Sequence, residues 1–236
     1  MKITLAFDVY GTLLNTHGVV TALEELIGNQ AQAFSQTWRD KQLEYSFRRG
    51  LMKSYDVFPV CISDALDYSC LFYKTSFTTD EKNQLLHIYQ TLPAFDDAIS
   101  SLQELKKTDN HLYAFSNGPV ATIEKLLSNA NIRKYFIDII SVDSIKTFKP
   151  SPDVYEHFVS TSNAEKENTW LISSNPFDVI GAISAEMKAV WVQRSKEMVF
   201  DPWGIEPTLT INSLLQLKEK ISAYYNEKLS ITSKPN

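Results

Sequence analysis

Four short stretches of the 236-residue chain carry side chains able to do polar chemistry. They are Asp8-Val9-Tyr10-Gly11-Thr12-Leu13, Ser116-Asn117-Gly118-Pro119, Phe148-Lys149-Pro150-Ser151-Pro152 and Ser173-Ser174-Asn175-Pro176-Phe177-Asp178. Between them they supply two carboxylates, a lysine, hydroxyls and amides. A carboxylate serves as nucleophile or base, and a lysine close to it keeps it ionised. Each stretch alone also reads as a helix cap or a turn. Ser116-Asn117-Gly118 stands equally for turn chemistry and for ligand binding.

What decides between these readings is where the chain puts them. β-rich runs occur at Ile3–Phe7, Leu112–Phe115, Ile137–Val142, Trp170–Ile172 and Ala189–Val192, with a weaker one at Leu209–Ile211. Helical periodicity fills the gaps. Phe95, Ala98, Ile99, Leu102 and Leu105 share one helical face, and so do Val120, Ile123, Leu126, Leu127 and Ala130. Strand–helix alternation predicts a parallel sheet covered on both faces. Ligands of such a sheet bind outside the carboxyl ends of its strands. All four stretches leave strands at that edge, and capping alone does not explain their convergence. Residues 15–93 differ, with long helical patterns at Gln32–Met52, Ile62–Ser76 and Thr79–Thr91 and no convincing strand. A helical insertion after the first strand is expected to cap the carboxyl edge. The expected division is an α/β core of residues 1–14 plus 94–236 and a helical cap of residues 15–93.

With 44% hydrophobic residues, the chain can build one substantial core plus a smaller unit. Its net charge is −5 and its basic residues are scattered, so it offers no nucleic-acid groove. Arg48-Arg49, near Lys53, reads as a solvated helix face. The start, Met1 to Asp8, has too short an apolar run for a signal peptide. No run approaches the roughly 18 apolar residues of a membrane span. Cys61 and Cys70 have neither metal spacing nor a disulfide framework, and read as ordinary thiols in a reducing cytoplasm. His17, His87, His111 and His157 form no ligand pair. No metal, cofactor, nucleic acid or membrane is therefore expected. The polar tail after about Asn226, ending Ser233-Lys234-Pro235-Asn236, is expected to fray.

The four stretches, in this order and spacing, resemble the four motifs of the haloacid dehalogenase superfamily, and the resemblance covers about residues 3 to 220. It implies a Rossmann-like parallel core with helices on both faces and an inserted cap. Superfamily phosphatases carry a second acid two residues after the first, to protonate a departing alkoxide. Here that place is Tyr10. A halide leaves as a stable anion and needs no proton donor, only hydrogen bonds or a cation to receive its charge. Trp38-Arg39-Asp40-Lys41-Gln42-Leu43-Glu44-Tyr45 is similar to the cap helix of the L-2-haloacid dehalogenases, where the matching arginine cradles the halide. Ser173-Ser174-Asn175-x-Phe177-Asp178 resembles the same branch. Pro176, where a small residue is usual, and Phe177, where some relatives carry tryptophan, depart from its pattern. Tyr155, six residues after Lys149, matches a tyrosine near the family's active site, but also reads as a core helix residue.

The resemblance implies a hydrolytic dehalogenase acting on short L-2-haloalkanoic acids, without a cofactor and as a homodimer. Asp8 is then the nucleophile, Lys149 its compensating cation, and Asp178, supported by Asn175, the base. Thr12 and Ser173 orient Asp8 and Lys149. Ser116, with backbone N–H groups near Tyr10 and Asn117, binds the substrate carboxylate, Arg39 and Asn117 accept the halide, and Phe177 is an apolar wall. A magnesium-dependent phosphatase holding its ion on Asp8 and Asp178, or a non-catalytic binding protein on the same scaffold, stays open at this point.

Overall fold

The first strand, β1 (Thr4–Asp8), is buried along its whole length, as a near-continuous apolar run in a doubly covered sheet must be. A computed structural model describes residues 2–232; of the tail expected to fray after about Asn226, the part up to Thr232 continues the last helix, and the final four residues lie outside the described ones. The other strands are β2 (His111–Ser116), β3 (Asp138–Ser141), β4 (Thr169–Ser173), β5 (Lys188–Val192) and β6 (Leu209–Ile211). They form one sheet in the order β3-β2-β1-β4-β5-β6, with every neighbouring pair parallel. This is a Rossmann-like arrangement. The chain reverses its direction of progress beside β1, which opens a crevice at the carboxyl ends of β1 and β4. The register pairs Asp8 with Phe115 and Phe7 with Ile172, so Asp8, Ser116 and Ser173 end their strands at nearly the same level.

β3 is shorter than its apolar run suggested. Ile137 is exposed before it, and Val142 opens a single 3₁₀ turn after it. The apolar faces also needed correction. In α5 (Asp96–Leu105) the buried residues are Ala98, Ser101, Leu102 and Leu105, while Ile99 is exposed. Ser101 takes the inward position because its hydroxyl donates to the Leu214 carbonyl at 2.8 Å. Val120, at the start of α6 (Val120–Asn129), is exposed, while Ile123, Leu126 and Leu127 are buried. The sheet's remaining helices are α7 (Pro152–Ser162), α8 (Pro176–Ser184) and α9 (Leu217–Thr232).

Between β1 and Pro93 the chain folds as α1 (His17–Ile27), α2 (Ala31–Leu51), α3 (Phe58–Tyr73) and α4 (Thr79–Ile88). In α2, the stripe Ala31, Phe34, Trp38, Gln42, Ser46 is buried at helical spacing. The Trp38 indole donates to the Ile62 carbonyl at 2.8 Å and Gln42 Nε2 to the Tyr89 hydroxyl at 3.0 Å, so the polar part of the stripe is satisfied. α3 starts four residues before the expected point, because Pro59 suits a first turn that has no use for its missing N–H. It stops where Lys74 turns left-handed. Thr78 and Glu81 form a capping box that opens α4. Two strand-like connections join these helices to the sheet. Asn15 N–H donates to Pro93 O at 2.8 Å and Phe95 N–H to Leu13 O at 2.9 Å.

Arg49 is not simply solvated, since its guanidinium binds Asp64 of α3 at 2.8 Å, whereas Arg48 pairs with Glu44 on its own helix. Cys61 and Cys70 are free and buried. Among the described residues no helix is long and apolar enough to cross a membrane.

Candidate active site

Asp8 is the last residue of β1 and points into the crevice, 7% exposed. Its two oxygens have different surroundings. Oδ2 accepts from the Thr12 hydroxyl at 2.8 Å, from Asn175 Nδ2 at 2.8 Å and from the Ser173 hydroxyl at 3.3 Å. Oδ1 faces the Lys149 ammonium at 3.3 Å. One oxygen is thus held by three donors, while the other keeps lone pairs for attack.

The loop after β1 makes this possible. Gly11 is left-handed at φ +77°, where a side chain would be strained. Its missing Cβ also leaves room for Arg39, since an added carbon would lie 3.2 Å from Nη2. Thr12 therefore turns back towards Asp8. Its hydroxyl also accepts the Ser174 N–H at 2.8 Å, which ties the loop to the end of β4.

Lys149 lies on the loop before α7 and is 2% exposed. Its ammonium lies 2.9 Å from Asp178 Oδ2 and 3.3 Å from Asp8 Oδ1, and donates to the Phe115 carbonyl at 3.1 Å. Burial works against its charge, but Asp178 and Asp8 outweigh burial and raise its pKa. It therefore stays protonated. Asp178, in the first turn of α8, is fully buried. Burial pushes its carboxyl up and Asp8 adds to this, against the pull of Lys149. Tyr155, on α7, donates to Asp178 Oδ1 at 2.9 Å and to the Asp178 carbonyl at 3.1 Å. Burial and the Asp178 charge raise the Tyr155 hydroxyl far above its ordinary value, so it remains a donor.

Asn175 joins two parts of the molecule. Its amide nitrogen holds Asp8, and its Oδ1 accepts from Arg39 Nη2 of α2 at 3.0 Å. The departure at Pro176 has a local reason, since it opens α8 where proline is favoured. Asn117 Oδ1 accepts the Lys149 backbone N–H at 3.0 Å, so its side chain also fixes the lysine loop. Ser116 is buried at the end of β2, and its hydroxyl accepts the Gly118 N–H at 3.1 Å.

Nine of the twelve expected residues (Asp8, Thr12, Arg39, Asn117, Lys149, Tyr155, Ser173, Asn175 and Asp178) are joined by hydrogen bonds or ion pairs, while Ser116 ends the neighbouring strand and bonds within its own turn. The side chains of Tyr10 and Phe177 diverge. Tyr10 lines a pocket of about 390 Å³ with Ile62 and Tyr89, while Phe177 lines a groove of about 690 Å³ with Phe47, Lys149 and Trp203. Sequence reasoning left Ser174 and Arg194 without a role. Both make bonds across more than 150 residues, to Gly11 and Thr12, and no local pattern announces them.

The donor set does not fit a divalent cation between Asp8 and Asp178. The Lys149 ammonium occupies the space between these carboxylates, and Tyr155 takes the other Asp178 oxygen.

A family model described as haloacid dehalogenase-like hydrolase matches residues 4–186. The chain is 32% identical over 213 residues to an (S)-2-haloacid dehalogenase of Pseudomonas putida, covering 90% of this chain and 93% of that one. It is 34% identical over 207 residues to haloacetate dehalogenase H-2 of Moraxella sp. (strain B), covering 88% and 92%. Its fold superposes with a TM-score of 0.87 on L-2-haloacid dehalogenase from Xanthobacter autotrophicus with chloropropionic acid covalently bound. That match has 26% identity and covers 94% of this chain and 99% of that one.

Proposed function

The chain belongs to the haloacid dehalogenase-like hydrolases, and on that premise we propose that it hydrolyses short L-2-haloalkanoic acids to D-2-hydroxy acids and halide. The observation that carries this reading is the asymmetry of Asp8. Three donors restrain Oδ2, and a buried ammonium faces Oδ1. A carboxylate so held is a fixed nucleophile.

Asp8 Oδ1 attacks the carbon bearing the halogen from the side opposite the halide. A C–O bond forms, the C–halide bond breaks, and the halide leaves with the bonding pair. The centre inverts once. Lys149 offsets the repulsion between nucleophile and substrate carboxylate. Arg39 and Asn117 receive the halide, Ser116 and nearby backbone N–H groups hold the substrate carboxylate, and Phe177, which lines a groove together with Lys149, supplies an apolar wall. Water then attacks the Asp8 carbonyl carbon, with Asp178 as base. The three donors around Oδ2 stabilise the charge that develops there. The bond between the Asp8 carbonyl carbon and the substrate oxygen breaks, Asp178 returns its proton to that departing oxygen, and the hydroxy acid leaves with an oxygen that belonged to Asp8. The halide is a stable leaving group, so the displacement step needs no acid in the place of Tyr10, and the scheme calls on no cofactor.

Residues 15–93 act in this scheme as a cap that delivers Arg39. The reading extends to a homodimer in the cytoplasm. Leu71 and Phe72 of α3 are exposed apolar side chains that a second copy would cover, and free Cys61 and Cys70 suit a reducing compartment. The deciding experiment is halide release from a panel of short 2-haloacids, run beside generic phosphate esters with and without a chelator. Turnover of phosphate esters alone, or of neither class, rejects the proposal.

A further inference from the structure

We propose that Arg194 is a positioning residue that clamps both connections between the α1–α4 helices and the sheet and, through Thr12, holds the Asp8 carboxylate; its kinetic arm rests on the dehalogenase reading. Arg194 follows β5 at the carboxyl edge. Its Nη1 donates to both oxygens of Asp97, at 2.8 and 2.7 Å. Its Nη2 donates to the Thr12 carbonyl. Its guanidinium carbon lies over the Phe95 ring, 4.0 Å from the centroid.

These partners belong to two different chain segments. Thr12 is on the connection leaving β1, while Phe95 and Asp97 are on the one returning to α5. The two hydrogen bonds that pair these connections, Asn15 N–H to Pro93 O and Phe95 N–H to Leu13 O, lie between the clamp's two ends in sequence. Asp97 Oδ2 is anchored further by the Ser213 hydroxyl and the Leu214 N–H, each at 2.8 Å. The side chains of Arg194 and Asp97 are 13% and 15% exposed, so solvent screens the pair little. Arg194 Nε is buried without a hydrogen-bond partner. The orientation of the fork is thus set by Asp97, Thr12 and Phe95 even at the cost of one donor.

The connection to chemistry is short. Thr12 presents its carbonyl to Arg194 and its hydroxyl to Asp8 Oδ2 at 2.8 Å. A shift of Thr12 moves a donor off Asp8. Lysine keeps the charge at position 194 but has a single nitrogen, so it cannot hold Asp97 and the Thr12 carbonyl from two separate nitrogens as Nη1 and Nη2 do.

The test uses the full chain with Arg194→Lys and Asp97→Asn, and two readouts. Amide hydrogen exchange is followed over residues 11–16 and 93–97, with the β1–β2 core as internal control. kcat and KM are measured for halide release from L-2-chloropropionate. We expect faster exchange confined to the two connections. We also expect kcat to fall about ten- to a hundredfold, the cost of a misplaced reacting group. KM should change by less than about twofold, because ground-state binding is not what the clamp serves. Added guanidinium should partly restore kcat in Arg194→Ala. Unchanged exchange in both variants overturns the clamp, and so does an increase spread evenly over the chain. Faster exchange with unchanged kcat overturns the link through Thr12. If the wild type releases no halide, the dehalogenase reading fails, and the exchange experiment alone decides the clamp.

Discussion

The Tyr155 hydroxyl shares its one proton between two acceptors of Asp178, the carboxylate at 2.9 Å and the backbone carbonyl at 3.1 Å. It is the group that, with Lys149, makes a fully buried carboxylate tolerable. Tyr155→Phe leaves both acceptors short of a donor. Stability should fall by about 1–3 kcal/mol, read from urea unfolding. Unchanged stability would mean that the tyrosine contributes packing alone.

Tyr155 also bears on the acid limb of turnover, which the burial of Asp178 governs first. The Asp178 carboxyl stands above its ordinary 3.8, through burial first, while the hydrogen bond from Tyr155 lowers it. A base must be ionised, so the acid limb of kcat should lie above the ordinary carboxylate range. Tyr155→Phe should move that limb higher still. The stability term has the matching sign. Because the folded value exceeds the unfolded one, the folded state binds the proton more tightly, and Asp178 favours folding less as pH rises from the unfolded towards the folded value. pH–rate profiles of wild type and Tyr155→Phe check this, and superimposable acid limbs would refute it.

Gly181 on α8 lies against the same tyrosine. A Cβ there would overlap the Tyr155 hydroxyl and come within 2.8 Å of the Pro150 ring. Gly181→Ala should therefore cost about 1–3 kcal/mol, as overpacking does, despite the better helix propensity of alanine. It should also reproduce the upward shift of the acid limb seen in Tyr155→Phe. A stabilised variant with the wild-type profile would contradict the geometry.

The product's configuration and the need for metal test the displacement. L-2-chloropropionate should give D-lactate, with the same rate before and after dialysis against a chelator. L-lactate, racemic lactate, or a loss restored by magnesium would each exclude the scheme.

The origin of the product oxygen tests Asp8 directly. One turnover in heavy-oxygen water, with enzyme in excess, should label Asp8 and leave the hydroxy acid largely unlabelled. Multiple turnovers should label both. Asp8→Asn should lower turnover by on the order of 10⁴-fold or more, as removal of a nucleophile does. Asp178→Asn should slow ester hydrolysis more than ester formation, which would let the ester be trapped as a mass increase on the protein. Label in the first-turnover product with Asp8 unlabelled would show direct attack by water.

The parallel strands and the position of Asp8, Ser116 and Ser173 at their ends were legible in the sequence, though not the order of the strands in the sheet. An apolar run followed by a polar stretch marks a strand exit, and parallel strands joined by helices must put their exits on one edge. The identity of the family was legible for the same reason, since its motifs are those exits. The tertiary structure alone decided which atom meets which. Arg39 and Asn175 stand 136 residues apart, and Arg194 and Thr12 stand 182 apart. Nor did any local signal say that Ser101 rather than Ile99 turns inward, or that Tyr10 and Phe177 line separate cavities. Periodicity reports only how a segment faces its surroundings. Hydrogen bonds between distant segments depend on how packed elements lie against one another, and that relation exists only once the chain has folded.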